Sequence, residues 1–236
     1  MSRQKRVSSR KVHQTYIPTV NWGVVNGFKP INEKQEQYFN LMHNKHIVVS
    51  TGYPGTGKSI CPIAYALQQL HCKAIDIIYL TKPIVEVGSS IGFLPGKIDD
   101  KFSPYMYSML EHMYDLLDKF TIDNYISNKK IICLPLEFMR GINLDKCIVI
   151  ADEMQNSSYI QTKTLLTRLK ENTQLIITGD LGQCDLDAPT ALPLIMKILL
   201  PIDGVGFVDF TINDIVRSGI VKDIMLEFHN YESNKH

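Results

Sequence analysis

Eight consecutive residues, Gly52-Tyr53-Pro54-Gly55-Thr56-Gly57-Lys58-Ser59, constrain this chain more than any others. They satisfy G-x-x-x-x-G-K-[ST] at every fixed position. The apolar run Ile47-Val48-Val49 precedes them and a helix-like stretch, Ile60 to Leu70, follows. Strand, glycine-rich loop and helix in that order make an anion cradle. Glycines let the backbone wrap closely around phosphates with successive N–H groups turned inward, and the helix adds the positive end of its dipole. The expected roles are phosphate and nucleotide contacts from Tyr53, Pro54, Gly55, Thr56, Gly57, Lys58 and Ser59. Lys58 reaches the β- and γ-phosphates, and the Ser59 hydroxyl takes one Mg²⁺ position.

A phosphate loop alone does not say whether the nucleotide is hydrolysed. The run Cys147-Ile148-Val149-Ile150-Ala151-Asp152-Glu153 supplies a second part, a buried-type strand ending in two acids. Such a strand delivers carboxylates to the sheet's C-terminal edge, beside the loop. Asp152 would hold Mg²⁺ through water, and Glu153 would polarise the attacking water. The competing explanation is that the two acids only open a helix, where they suit the dipole. Leu175 to Asp180 is another strand ending in polar residues, with Gln183 close behind. Asp180 and Gln183 are candidates for sensing the γ-phosphate, although Gly179-Asp180 also suits an ordinary turn.

Around these motifs the chain alternates strand and helix patterns. Asn32 suits the N-cap of a helix from Glu33 to His43. Further β-like runs are Ala74–Leu80, Ile131–Leu134, Leu175–Thr178 and Val205–Phe210, and helical patterns cover Lys101–Phe120, Tyr159–Lys170 and Ala191–Leu199. The alternation predicts an α/β fold with a mostly parallel central sheet covered on both faces, hence three layers. The stripe Tyr105, Met106, Met109, Met113, Leu116, Leu117, Phe120 is expected to pack in the core. Gly88 to Gly96 reads as loop. Residues 1–28 read as a basic extension, 29–229 as one domain and 230–236 as a tail.

The five cysteines form no C-x-x-C pair, and Cys61, Cys133 and Cys147 sit in or beside apolar runs. This suits a reducing, cytoplasmic setting better than a disulfide framework or a zinc site. No run approaches 18 apolar residues, so no membrane span is expected. Net charge is +1, yet residues 1–14 hold Arg3, Lys5, Arg6, Arg10 and Lys11 without an acid, leaving 20 basic against 24 acidic residues elsewhere. A basic tail of this kind either contacts RNA or DNA phosphates or is simply solvated.

Several segments together resemble the PhoH family of P-loop ATPases, which are related to the first RecA-like domain of superfamily 1 helicases. The matching residues are Gly52–Ser59, Lys82-Pro83-Ile84-Val85-Glu86-Val87-Gly88, Gly92-Phe93-Leu94-Pro95-Gly96 and Pro135 to Gly141. Further on they are Asp152 to Asn156, Leu166-Thr167-Arg168-Leu169, Thr178-Gly179-Asp180 with Gln183, and Asp214-Ile215-Val216-Arg217. The resemblance implies a RecA-like P-loop NTPase domain that takes ATP and Mg²⁺ and works on RNA or single-stranded DNA. It implies adenine recognition by Gln35, with Gln37 a rival, and coupling of the acidic motif to the γ-phosphate by Gln155. It also implies nucleic-acid contact by Lys82, Pro83 and Arg140.

Phosphoryl transfer needs a guanidinium near the γ-phosphate, and Arg140, Arg168 and Arg217 are the candidates. In two-domain helicases a second domain supplies it. This chain leaves no room for one, so Arg168 or Arg217 from a neighbouring subunit is expected, in a homo-oligomeric ring, with a hexamer favoured. Local salt bridges are the alternative role for each. The sequence departs from the family pattern at Ser59 for threonine, Lys82 for arginine, Met154 for alanine and Asp187 for proline. Lys82 loses bidentate phosphate geometry. A nuclease-type cluster of acids is not seen. An ATP-switched adaptor for a protein partner is the competing function; a small-molecule kinase explains the Asp152-to-Gln155 run poorly.

Overall fold

In a computed structural model, the structure describes residues 22–84, 98–183, 190–216 and 219–233. A short 3-10 turn at Trp22–Val25 leads to helix α1, Glu33–Asn44, capped as expected: the Asn32 side chain accepts from the Gln35 N–H at 2.9 Å. Strand β1 is Ile47–Gly52, α2 is Ile60–His71 and β2 is Ile77–Lys82. Helices α3, Ile98–Leu116, and α4, Lys119–Ser127, precede β3, Ile131–Pro135. Strand β4 is Cys147–Ala151, α5 Tyr159–Leu166, β5 Thr173–Gly179, α6 Leu192–Leu199, β6 Val205–Phe210 and α7 Gly219–Ser233.

The six strands form one sheet in the order β3-β2-β4-β5-β1-β6, and every pairing is parallel. Side chains alternate across it. Val48, Ile78, Leu80, Ile148, Ile150, Ile176 and Val208 face a core closed by α1 to α4. Val49, Tyr79, Val149, Ala151, Leu175 and Ile177 face a second core closed by α5 and α6. The fold is thus the expected three-layer α/β arrangement, with helices on both faces of a parallel sheet. Helix α2 lies beneath the first face, with Cys61 through Leu70 all buried, so it is enclosed on every side, and Gln68 and Gln69 are buried with its apolar residues.

The chain departs from the expected element boundaries where local backbone chemistry intervenes. Strand β2 begins at Ile77 rather than Ala74, because Lys73 at φ 60° and the Ala74 N–H bonded to the Gln69 carbonyl first close the end of α2. The methionine stripe does pack in the core, with Met106, Met109, Met113 and Leu116 buried. Phe120, however, is 82% exposed. Asp118 ends that stripe by starting α4, its carboxylate accepting from the Thr121 N–H at 2.9 Å. Helix α5 stops at Leu166 rather than Lys170, and Leu169 instead makes a single bridge to Leu144. Helix α7 runs across the boundary placed at 229. The basic tail (1–14), the Gly88–Gly96 loop, Cys184 and Asp187 lie outside the described residues.

Candidate nucleotide site

The strand order sets the geometry. Strand β5 lies between β1, which ends in the phosphate loop, and β4, which ends at Asp152. Thr178 is in register with Ser50, so the C-terminal ends of all three strands converge on one edge. In open parallel sheets this edge is where ligands bind.

The loop needs its glycines. Gly52, Gly55 and Gly57 have φ of 134°, 79° and 92°, backbone that L side chains rarely adopt. A Cβ on Gly52 would stand 2.2 Å from the Phe210 carbonyl oxygen, so β6 fixes the loop's entry. Thr56 Oγ1 donates to the Tyr53 carbonyl at 2.9 Å, and Lys58 Nζ donates to the same carbonyl at 3.3 Å, which holds the ammonium across the loop. Tyr53, Pro54, Gly55, Gly57 and Ser59 are half-buried, whereas Thr56 and Lys58 are buried.

Ser59 and Asp152 are brought together. Ser59 Oγ donates to Asp152 Oδ1 at 3.2 Å, and Thr178 Oγ1 donates to the same oxygen. Asp152 is 5% exposed. An alcohol and a carboxylate side by side at a phosphate loop are a hard-oxygen donor set, which suits a magnesium ion completing its shell with water and phosphate oxygens. Among the described residues no group of three or more His, Cys, Asp or Glu side chains could hold a metal by themselves. The residues present therefore fit Mg²⁺ bound together with a nucleotide.

Glu153 follows in a left-handed conformation, φ 55° and ψ 36°, costly for a non-glycine residue and concentrated at functional sites. Burial, and then the Asp152 charge, push Glu153 above the usual carboxylate range; a hydrogen bond from Gln155 and the ammonium groups of Lys58 and Lys82 oppose the rise. Gln155 joins two strand ends: its Nε2 donates to Glu153 Oε2 at 2.6 Å, and its Oε1 accepts from the Asp180 N–H at 3.0 Å. Asp180 is 6% exposed; its Oδ1 accepts from the Gly182 N–H at 2.9 Å, and Oδ2 has no partner among the described residues. Gln183 is exposed and touches Asp180 only through a backbone bond to its carbonyl.

Gln35 lies behind the loop. It is 2% exposed, its Nε2 donates to the Thr56 carbonyl at 3.0 Å, and its Oε1 accepts from the Ile31 N–H at 3.1 Å. One end of the amide thus braces the loop, and the other is held by the segment that leads into α1. Gln37 is exposed. Two further residues, to which sequence reasoning attached no role, stand beneath the loop. Tyr38 donates to the Lys58 carbonyl at 3.4 Å and accepts from Ser50 Oγ at 3.0 Å, and it is fully buried. Its signal was its position three residues after Gln35, on the same helical face. Thr178, the second side chain that donates to Asp152, was legible only as part of the Thr178-Gly179-Asp180 match, with no role attached.

The other candidates are spread out. Lys82, half-buried, and Pro83, buried, end β2 on the same sheet edge as Asp152. Arg140 is exposed beyond β3, the edge strand, following the 3-10 turn Leu136–Met139. Arg168 is exposed at the opposite edge, beside the Leu144–Leu169 bridge that precedes β4. Five residues of β4 span about 16 Å, so Arg168 cannot reach its own phosphate loop. Neither arginine makes an ion pair with another described residue. Arg217 lies outside the described residues, but Val216 beside it donates its N–H to the Gly55 carbonyl at 3.0 Å, so the chain passes over the loop there.

Comparisons with known proteins agree with this arrangement. The chain is similar to a PhoH-like protein of Bacillus subtilis, at 35% identity over 193 residues that cover 81% of this chain and 60% of that one. A PhoH-like protein of Mycobacterium tuberculosis is 34% identical over 206 residues, covering 86% of this chain and 58% of the relative. Protein PhoH of Escherichia coli is 33% identical, covering 80% and 54%. The chain therefore spans between 54% and 60% of the length of these relatives. Among solved structures, the large terminase of a thermophilic bacteriophage superposes with a TM-score of 0.54 at 12% identity, covering 84% of this chain and 50% of that one. The same terminase in complex with ADP gives 0.54 at 14% identity, covering 83% and 49%. That likeness is one of fold, the RecA-like P-loop domain. The PhoH-like family model matches residues 27–229, and the chain belongs to that family.

Proposed function

We propose that this protein binds ATP with magnesium at the Gly52–Ser59 loop and hydrolyses it to ADP and phosphate, coupled to an RNA or single-stranded DNA. One observation carries the hydrolytic half: Ser59 and Thr178 both donate to Asp152, and the next residue, Glu153, is a half-buried carboxylate held by Gln155. Loop N–H groups and Lys58 hold the phosphates. Ser59 and Asp152 hold the magnesium ion, which offsets phosphate charge when bound. Glu153 accepts a proton from the attacking water, and burial suits it to that task by making it a stronger base than an exposed carboxylate. Gln155, bonded to both Glu153 and the Asp180 N–H, reports changes at the carboxylate to the end of β5. Asp180 and Gln183 pass that state outward. Gln35 steadies the loop, and adenine recognition would use the remaining N–H and lone pair of the same amide.

Lys82, Pro83 and Arg140 support the nucleic-acid half, since they line the C-terminal edge of β2 and β3 beside the nucleotide site. A second copy in a ring, hexameric in our reading, would supply the arginine, Arg168 or Arg217. Phosphate release measured with and without oligoribonucleotides and single-stranded oligodeoxynucleotides, across a salt series, tests the coupling. Stimulation that fades with salt is expected. Turnover indifferent to every strand would instead favour a nucleotide-switched adaptor for a protein partner.

A further inference from the structure

Two exposed apolar faces belong neither to the nucleotide site nor to the core. Helix α7 presents Ile220, Ile224 and Phe228 at 66%, 47% and 59% exposure, spaced four residues apart and so on one side. Among the described residues α7 packs chiefly against the turn Ile212–Asp214. The outer side of α6 presents Leu194 and Ile198, with Leu200 and Ile202 in the turn after it, between 47% and 69% exposed. Three large side chains at such exposure leave roughly 350 Å² of apolar surface on α7 alone, a patch of the size that marks interaction sites.

Charge decides what covers them. Asp223 and Glu227 lie beside Ile224 and Phe228 on α7, whereas Lys197 lies between Leu194 and Ile198 on α6. None of these three charged groups makes an ion pair with a described residue. Pairing α7 with α7 would set acid against acid, and pairing α6 with α6 would set lysine against lysine. Only α7 against α6 opposes unlike charges while covering both apolar faces. We propose that α7 of one copy docks on α6 of the next, head to tail.

A contact of that kind is heterologous and adds copies in one direction, closing into a ring where the rotation between copies permits and running on as a filament where it does not. It deepens the reading above, on which it rests for its catalytic consequence. Val216, three residues before α7, is bonded to Gly55, so a neighbour seated on α7 lies beside the phosphate loop. The neighbour's Arg168 lies in the same helical layer as its α6, next to α5, and at the sheet edge where α6 ends. Antiparallel docking, start of α7 against end of α6, brings the arginine-bearing edge of one copy toward the loop of another.

Light scattering on the full chain, without nucleotide, tests the contact. Wild type is expected to associate in a concentration-dependent manner by about 100 µM, as weak interfaces of this area do. Phe228→Asp and Leu194→Asp alter exposed side chains and are each expected to yield folded monomers, checked by circular dichroism. Mixed in equal amounts they should form dimers and nothing larger, because each variant keeps the face the other has lost. Glu227→Lys should weaken association, and adding Lys197→Glu should restore it. Wild type that stays monomeric, or a mixture that stays monomeric, overturns the proposal. Because assembly is read without turnover, loss of the contact and loss of ATP hydrolysis are scored separately.

Discussion

Gly57 tests how the loop is braced. At φ 92° an alanine pays the usual positive-φ cost of about 1–2 kcal/mol. Its Cβ would also stand 2.5 Å from Gln35 Nε2 and 3.3 Å from Cys61 Sγ. Gln35 cannot swing away freely, because its amide is pinned at both ends by Thr56 and Ile31. Gly57→Ala should therefore cost roughly 2–4 kcal/mol, a large share of a typical domain stability of about 5–15 kcal/mol. Gln35→Ala alone leaves the Thr56 carbonyl and the Ile31 N–H unpaired, at about 1–3 kcal/mol. In the double variant the clash is gone while the φ cost remains. The two changes should then be less than additive by about 1–2 kcal/mol in urea unfolding. Additivity within about 0.5 kcal/mol would refute the brace.

Further expectations follow from the same contacts. Glu153 takes its proton more tightly folded than unfolded, so the associated stability is full below about pH 4.3 and is lost as pH rises through the raised folded value. Glu153→Gln should accordingly raise the melting temperature at pH 7, with the gain vanishing near pH 4; an unchanged or lower melting temperature at pH 7 counts against a strained charge there. Thr178→Val removes a donor to the buried Asp152 and should cost about 1–3 kcal/mol in urea unfolding. If Arg168 acts between copies, mixing Lys58→Ala with Arg168→Ala should recover phosphate release that neither shows alone, and no recovery on mixing would remove that role. Cys133 and Cys147, pushed up by burial to about 12 and about 11, should resist alkylation at pH 8 while exposed Cys72 reacts, as mass spectrometry would show.

The parts of the fold written in local chemistry were legible in advance. Strand β4 runs from Cys147 to Ala151 as expected, because five apolar residues are closed by Lys146 on one side and Asp152 on the other. The Asn32 cap and the phosphate loop were equally plain. What failed depended on competition between neighbours. The Lys101–Phe120 stripe keeps helical spacing past its true end, and only the Asp118–Thr121 cap divides it and turns Phe120 outward. Gln35 could be recognised as a site residue, but its side-chain direction depends on packing between α1 and the loop. Arg168 is close in sequence to the acidic motif, yet α5 carries it back to the far edge of the sheet. Distance of that kind is a property of topology, which residue spacing does not encode.

In the proposed mechanism Glu153 is the base of a hydrolytic site built on the Gly52–Ser59 loop. Parallel measurement of Mg-ATP affinity and steady-state phosphate release on wild type and Glu153→Gln tests it most directly. Affinity is expected to stay within about threefold while phosphate release falls by about 100-fold or more, the scale of general-base catalysis. Equal phosphate release by the two proteins would contradict it.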